Sequence, residues 1–124
     1  MSATTIDQEQ RRSQRFRVKE NALALDHSII GQILNLSMGG LMFRYLADLY
    51  NFKGNLAELD VYFAGDGLCL RRVPCATVFN KAVENEIPFS SLSMRECGVK
   101  FGTLTLQQEA QLRHIIANRT IGEA

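Results

Sequence analysis

Positive charge is concentrated in one short segment of this 124-residue chain. Five cations fall within nine positions: Arg11, Arg12, Arg15, Arg17 and Lys19. The whole chain is nearly neutral, with 14 Lys and Arg against 13 Asp and Glu, so this segment is distinctive. An arginine presents five N–H donors in a fixed fork that can grip a phosphate or pair with guanine O6 and N7. Charge alone favours a solvated basic tail or a patch that attracts nucleic acid loosely.

A second polar pattern, Asn-Leu-Ser-Met-Gly-Gly at 35–40, begins 20 positions after Arg15. Side chains alternate along a strand with period two, so Asn35 and Ser37 are predicted to share one strand face. The Gly39-Gly40 pair that follows is typical of a turn. The amide and the hydroxyl would then meet the same edge of a ligand. This interpretation requires both side chains to lie at the surface, within reach of the basic segment.

The two patterns, in this order, resemble the signature of the PilZ domain family of bacterial cyclic di-GMP receptors. That signature is RxxxR at the entry to the first strand, followed by [D/N]xSxxG. Residues Arg11 to Arg15 match the first half and 35–40 match the second. The similarity continues in CGVKFG at 97–102 and in a closing helix, and it covers roughly residues 9–118. Either motif alone is weak evidence, whereas both in order on a strand scaffold are specific.

For the basic segment, the resemblance implies a clamp on cyclic di-GMP, which has two anionic phosphodiesters and two guanines. Arg11 and Arg15 would grip guanine edges and phosphate, and Arg12 would help by position or charge. Arg17 is interpreted as an exposed strand cation. We name residues 11–17 the arginine arm. We expect the arm to be mobile without ligand and to fold across the strand face when the dinucleotide neutralises its charges.

For the second motif, the resemblance implies contacts from the barrel wall. Asn35 stands where the family has Asp or Asn and would bond to the Watson–Crick edge of guanine. Ser37 would add a hydroxyl contact, and Gly40 would let the backbone turn close to the base. An amide oxygen accepts a hydrogen bond as a carboxylate does but without its charge, so we expect somewhat lower affinity than with Asp.

The function implied by the resemblance is a receptor or adaptor. It would change conformation on binding the dinucleotide and signal through contacts with an unidentified protein partner. One alternative is a family member that keeps the barrel as an interaction or scaffold protein and binds no nucleotide. Another is a small barrel that binds nucleic acid nonspecifically. The strands lack paired exposed aromatic residues of the kind that stack bases, so no DNA or RNA partner is expected.

The residues that usually carry catalysis are few and scattered. Cys69, Cys75 and Cys97 form no CxxC pair and lie in apolar surroundings, which favours reduced thiols packed as small hydrophobes. His27 and His114 are separated by most of the chain, so neither a zinc site nor a Cys/His nucleophile is indicated. Neither a GxGxxG element nor a GxxxxGK[ST] loop is present. We expect no enzyme, no metal and no cofactor other than the ligand.

Hydrophobic periodicity predicts six short strands, with runs at 16–25, 29–36, 41–46, 56–63, 68–79 and 94–101. Gly65-Asp66-Gly67 favours a hairpin turn, and Pro74 should break its run or place it at an edge. Strands at this spacing indicate an antiparallel sandwich or barrel. The resemblance narrows this to an all-β fold with a C-terminal helix, a six-stranded antiparallel barrel of PilZ type. The residues assigned to the barrel core include Phe16, Phe43, Phe63, Phe79 and Phe101.

A helical pattern follows the last strand. Residues 105–108, Thr-Leu-Gln-Gln, have the spacing of a capping box, with Thr105 as N-cap and Gln108 reaching back to it. The helix is predicted to end near Asn118. Its polar face should carry Gln107, Gln111, His114 and Asn118. Its apolar arc, laid on the barrel, should carry Leu106, Ala110, Leu112, Ile116 and Ala117.

The predicted organisation is one domain at 11–118 between a flexible tail at 1–10 and a short tail at 119–124. Within the domain, the arm covers 11–17, the barrel 16–102 and the helix 105–118. A composition of 46% hydrophobic and 22% charged residues is ordinary for a globular domain. No window approaches the roughly 18 apolar residues of a membrane span, and the opening residues lack the apolar stretch of a signal peptide. We expect a cytoplasmic protein without membrane insertion.

Overall fold

The structure is a computed structural model that describes residues 14–18, 22–26, 28–48, 56–64, 67–83, 92–118 and 120–123. The elements within these ranges are mostly strands. In chain order they are β1 (Phe16–Val18), β2 (Ala22–Asp26), β3 (Ile29–Leu36), β4 (Gly40–Asp48), β5 (Glu58–Phe63), β6 (Leu68–Ala82), β7 (Leu92–Phe101), α1 (Leu106–Asn118) and β8 (Thr120–Glu123). No described helix is long and apolar enough to cross a membrane.

Six of the strands close into an antiparallel barrel in the order β2-β5-β6-β7-β4-β3, and β3 pairs back with β2. This confirms the predicted six-stranded barrel. Closure removes the free edges that an open sheet would present. Strand β2 pairs with β3 through Ile29–Gln32, so the end of β3 is left for β1, which pairs at Asn35 and Leu36.

The tail predicted at 119–124 contains a strand instead. Strand β8 pairs antiparallel with β1, matching Phe16 with Glu123 and Val18 with Thr120. Four residues are too few for a periodic pattern, so the local sequence does not indicate this strand. Its pairing with β1 comes from the return of the chain after α1, and the Thr120 hydroxyl donates to the Ile116 carbonyl at 2.6 Å.

Most of the barrel interior is filled by alternating apolar side chains. The largest fully buried side chains among the described residues are Phe43, Phe63, Ile33, Leu36, Leu41, Leu59, Leu70, Val61, Val73 and Val99 from the strands, and Leu112 and Ile115 from α1. Phe101 is also buried, and Phe16 is half-buried. The core assignment of Phe79 is wrong, because its ring lies on the outer wall over Gly98, where any added Cβ would overlap it. A register shift between Thr77 and Phe79 reverses the alternation and turns the ring outward.

Pro74 lies inside β6, which runs without a break between β5 and β7. The prediction that it breaks the run or marks an edge is therefore wrong. Pro74 faces Glu58, the first residue of β5, so its missing N–H falls where that ladder begins. The next N–H, of Cys75, donates to the Ala57 carbonyl at 2.9 Å, and the Pro74 carbonyl accepts from Gly102 at 2.8 Å.

The hairpin between β5 and β6 is confirmed at its described end. Gly67 has a φ of 72°, a left-handed conformation that glycine adopts without steric cost. Its N–H donates to the Phe63 carbonyl at 3.0 Å and closes the turn. The other two residues of the predicted turn, 65 and 66, lie outside the described residues.

Helix α1 begins with the predicted capping box. The Gln108 N–H donates to the Thr105 hydroxyl at 3.0 Å, and the Thr105 N–H donates to Gln108 Oε1 at 2.9 Å. The buried face consists of Leu112 and Ile115, whereas Leu106 is 85% exposed. The predicted apolar arc is thus rotated, and Ala110 and Ala117 are also exposed. His114 is exposed, as expected. Gln108 Nε2 also donates to the Arg71 carbonyl at 3.0 Å and connects the first turn of α1 to β6.

Replacing Thr105 by Ala removes the acceptor for the Gln108 N–H and should lower the free energy of unfolding by about 1 kcal/mol. The matched control is Thr103→Ala, at an exposed position two residues earlier that is not the N-cap. Urea unfolding of both variants measures the difference. Equal stabilities would contradict a stabilising capping box.

Candidate functional site

A β-bulge in β3 places Asn35 on the outer wall. Ile33 pairs with Phe43, but Asn35, two residues later, pairs with Met42, so β3 holds one extra residue here. Ile33 and Leu36 are therefore the inward-facing residues on either side of the bulge, and both are buried. Strict alternation would have put Asn35 on the face of Ile33. The bulge turns its amide outward instead.

The arginine arm reaches this amide. Arg15 Nη1 donates to Asn35 Oδ1 at 3.0 Å. The contact is set up by β1, which pairs Phe16 with Leu36 and Arg17 with Asn35 immediately after Arg15. Asn35 is 8% exposed, with the exposed Arg15 side chain as part of its cover. The first and second sequence motifs are therefore in direct contact.

The arm is positioned over part of its length. Residues 14–18 are described, and Phe16 and Arg17 of the arm pair with β3. Mobility of the arm without ligand stays a prediction. Arg11 and Arg12, which belong to the predicted clamp, lie outside the described residues. Their contacts with a ligand stay a prediction.

Ser37 faces the turn between β3 and β4, contrary to the expectation of a surface hydroxyl. Its hydroxyl accepts from the N–H groups of Gly39 at 3.1 Å and Gly40 at 3.0 Å, and it donates to the Gly40 carbonyl at 3.2 Å. The side chain is 2% exposed. Asn35, at 8% exposed, is buried as well, so the surface exposure that the sequence interpretation required is absent at both residues. The hydroxyl closes the turn, and a direct ligand contact from it stays a prediction.

Gly40 is explained by packing against β7. A Cβ at Gly40 would overlap the Val99 carbonyl oxygen, so only glycine fits this approach of β4 to β7. The same junction is held by the Phe101 N–H, which donates to the Gly39 carbonyl at 2.8 Å. The structure brings Arg15, Asn35, Ser37 and Gly40 into one region. The predicted approach of Gly40 to a base is not required to explain this glycine.

The register also brings together residues that the sequence motifs do not include. One row of cross-strand partners on the outer wall runs Arg17, Asn35, Met42, Gly98 and Phe79. The adjacent outer row runs Gly40, Lys100 and Ala76. Neighbours across strands lie about 5 Å apart, so these side chains form the surface around Asn35. No local spacing indicates them, because they come from five different strands.

Elsewhere, the described residues offer no reactive centre. Burial raises the pKa of Cys75 and of Cys97 from 9.0 to about 11, and it also raises the pKa of the Cys69 thiol. Burial raises the pKa of the Tyr45 phenol, whose oxygen accepts from Asn80 Nδ2 at 2.7 Å. The described part of the chain contains no group of three or more His, Cys, Asp or Glu that could hold a metal ion.

Replacing Ser37 by Ala should lower the free energy of unfolding by about 1 to 3 kcal/mol, because two turn N–H groups lose their acceptor. A matched control is Ser93→Ala, since the buried Ser93 hydroxyl has no hydrogen-bond partner among the described residues and its loss should be neutral or slightly stabilising. Urea unfolding compares the two variants. Similar values for both would contradict the turn-closing role.

The cysteines should react slowly with a thiol-labelling reagent near pH 8 in the folded protein. A raised pKa keeps Cys75 and Cys97 protonated there, and the thiolate is the reactive form. Labelling should accelerate as the pH rises towards 11, and it should be fast at pH 8 after unfolding. Rapid labelling of these two thiols in the folded state at pH 8 would contradict their protected state.

Comparison with known proteins bears on the family and the fold. The PilZ domain family model matches residues 9–118. Among solved structures, the PilZ domain with c-di-GMP of YcgR from Escherichia coli matches with a TM-score of 0.65. The match has 13% sequence identity and covers 87% of this chain and 89% of that chain, so it shows a shared fold. A search of curated proteins found no match.

Proposed function

The chain belongs to the PilZ domain family, and from this premise we propose that it is a receptor for cyclic di-GMP. The observation that carries the proposal is the hydrogen bond between Arg15 and Asn35. It joins the RxxxR motif to the NxSxxG motif at one point on the outer wall. The structural neighbour is a PilZ domain with c-di-GMP and has the same fold, which adds support.

The two side chains offer what a guanine nucleotide requires. Asn35 Oδ1 is an acceptor suited to guanine N1–H or N2–H, and Arg15 carries several donors suited to O6, N7 or a phosphate oxygen. Without ligand, these groups satisfy each other at 3.0 Å. We infer that the ligand inserts by exchange. Guanine donates to Asn35 in place of Arg15, and the released guanidinium bonds to the ligand.

Exchange makes binding less costly than folding of a disordered arm. Fixing one residue's backbone costs about 1 to 2 kcal/mol, and β1 already holds the residues that follow Arg15. The loss on binding is one partly exposed hydrogen bond. The gain is several charge-assisted bonds of about 1.5 to 3 kcal/mol each, when well shielded from water. In this proposal, Arg11 and Arg12 complete the clamp as the first half of the arm closes.

The turn that follows Asn35 holds this residue in position. Ser37 and Gly40 fix the turn through backbone contacts, and β7 locks it from the other side. A site held before the ligand arrives loses less entropy on binding. Ser37 therefore supports affinity in this proposal by positioning Asn35, in addition to any direct contact.

The output of the receptor is proposed to be a protein–protein contact. Closure of the arginine arm over the ligand would replace a cationic surface by a neutralised one, which a partner can distinguish. We propose that the chain acts in this way in the cytoplasm, as an adaptor and not as an enzyme. It would need no metal or other cofactor.

A second candidate is a PilZ-like scaffold that binds no nucleotide. The favouring observation is that Ser37 is fully engaged within its turn and that Asn35 and Arg15 already satisfy each other. In that case the motif would be a structural junction. Measurement of nucleotide binding separates the two candidates.

Calorimetric titration should show saturable binding of cyclic di-GMP. Arg15→Ala should weaken it by about tenfold to a hundredfold, because it removes a charge-assisted contact worth roughly 1.5 to 3 kcal/mol. Asn35→Ala should weaken it by about two- to tenfold, because an uncharged hydrogen bond is worth roughly 0.5 to 1.5 kcal/mol. Arg113→Ala is the control. This exposed arginine on α1 lies 3.8 Å from Glu109 and has no place in the site.

Selectivity completes this test. GMP and a linear diguanylate should bind far more weakly than the cyclic dinucleotide. Absence of cyclic di-GMP binding by the folded wild-type protein would exclude the receptor and leave the scaffold. Equal binding of unrelated oligonucleotides would indicate a nonspecific basic surface instead.

A further inference from the structure

We propose that Arg17 and Lys100 are two further phosphate contacts. Both lie on the outer barrel wall, one on either side of Asn35. This inference rests on the proposed function, because it assigns additional residues to the same ligand. Neither residue belongs to the RxxxR or NxSxxG motif. The sequence alone indicates only an exposed strand cation at Arg17.

Strand register places both side chains beside the motif. Arg17 on β1 is the direct cross-strand partner of Asn35, so both side chains leave the same face of the ribbon. Lys100 on β7 is the direct partner of Gly40. Its neighbours Val99 and Phe101 point into the core, so Lys100 points outward.

Both cations are available to an anion. Arg17 and Lys100 are exposed, and neither forms an ion pair or hydrogen bond through its side chain to any described residue. The two outer rows that contain them hold no carboxylate among their described members, which are otherwise Asn35, Met42, Gly98, Phe79, Gly40 and Ala76. In the next outer row, by contrast, the cation is paired, because Arg44 Nη2 lies 2.6 Å from Glu96 Oε1.

The spacing suits a ligand with two phosphates. From Arg17 to Lys100 the wall crosses three strand spacings and one two-residue repeat, so their Cα atoms lie roughly 16 Å apart. Both side chains are long and flexible enough to lean inward over the surface between them. A cyclic dinucleotide seated on Asn35 would thus have a cation at either side, and each phosphodiester would find one.

The proposed contacts are of two kinds. Arg15 and Asn35 read guanine through directional hydrogen bonds, whereas Arg17 and Lys100 attract charge without reading a base. Because the two flanking cations are exposed, their contribution should fall as salt screens it, over a Debye length of about 8 Å at 0.15 M ionic strength.

The test is calorimetric titration of cyclic di-GMP into Arg17→Gln and Lys100→Gln, with Arg113→Gln as a control of equal charge change. Each flanking variant should bind about three- to tenfold more weakly than wild type, and the control should stay within about twofold. Arg17→Lys should recover most of the affinity, because it restores charge without the guanidinium. Added salt should weaken wild type more than the Arg17→Gln/Lys100→Gln double variant.

The outcomes separate this inference from the function on which it rests. If Arg15→Ala loses affinity while both flanking variants match the Arg113→Gln control, the phosphate contacts of Arg17 and Lys100 are wrong and the proposed receptor function is unaffected. If folded wild type binds no cyclic di-GMP, both fall. Should Arg17→Gln disturb β1, thermal unfolding will show it. In that case the affinities of Arg17→Lys and Lys100→Gln test the proposed phosphate contacts. If Lys100→Gln shows the same salt dependence of binding as wild type, these contacts are wrong.

Discussion

The hydrogen bond between Arg15 and Asn35 is possible only because β3 carries an extra residue. In a regular strand, Asn35 would share the inward face of Ile33, and a polar amide would be buried among apolar side chains at a cost of several kcal/mol. The bulge gives the inward position to Leu36 and the outward position to Asn35. One local departure from alternation thus creates the polar point on the wall that the arm can reach.

Several elements hold that point in place. The Ser37 hydroxyl fixes the turn, Gly40 allows β7 to approach, and β1 lies along the end of β3 that β2 leaves free. Strand β8 covers the other edge of β1 and links it to the end of α1. The arm is therefore attached to the barrel at its second half. In the proposed exchange, the ligand would meet an Arg15 side chain that is already positioned, and Arg11 and Arg12 would complete the clamp.

Short-range sequence patterns and the family resemblance predicted part of the fold and of the site. The bounds of β3 and the capping box at Thr105 follow from short-range patterns, and the structure has both. The resemblance indicated that Arg15 and Asn35 work together, and they touch. The role of Ser37, the outward ring of Phe79 and the unbroken course of β6 through Pro74 were not predictable in this way. The role of Ser37 depends on the turn that follows it, because its hydroxyl accepts from the N–H groups of Gly39 and Gly40. The Phe79 ring and the course of β6 depend on register between strands, where a bulge of one residue reverses the face of all that follow. Strand register also places Arg17 and Lys100 on either side of Asn35.

The most direct test of the exchange is NMR observation of the Asn35 side-chain amide and the Arg15 guanidinium during titration with cyclic di-GMP. The account predicts that both resonances shift saturably, that a guanine imino proton gains a cross-peak to Asn35, and that the amides of Gly39 and Gly40 in the turn move little. Saturable binding that leaves Arg15 and Asn35 unchanged, with shifts confined to another face of the barrel, would contradict it.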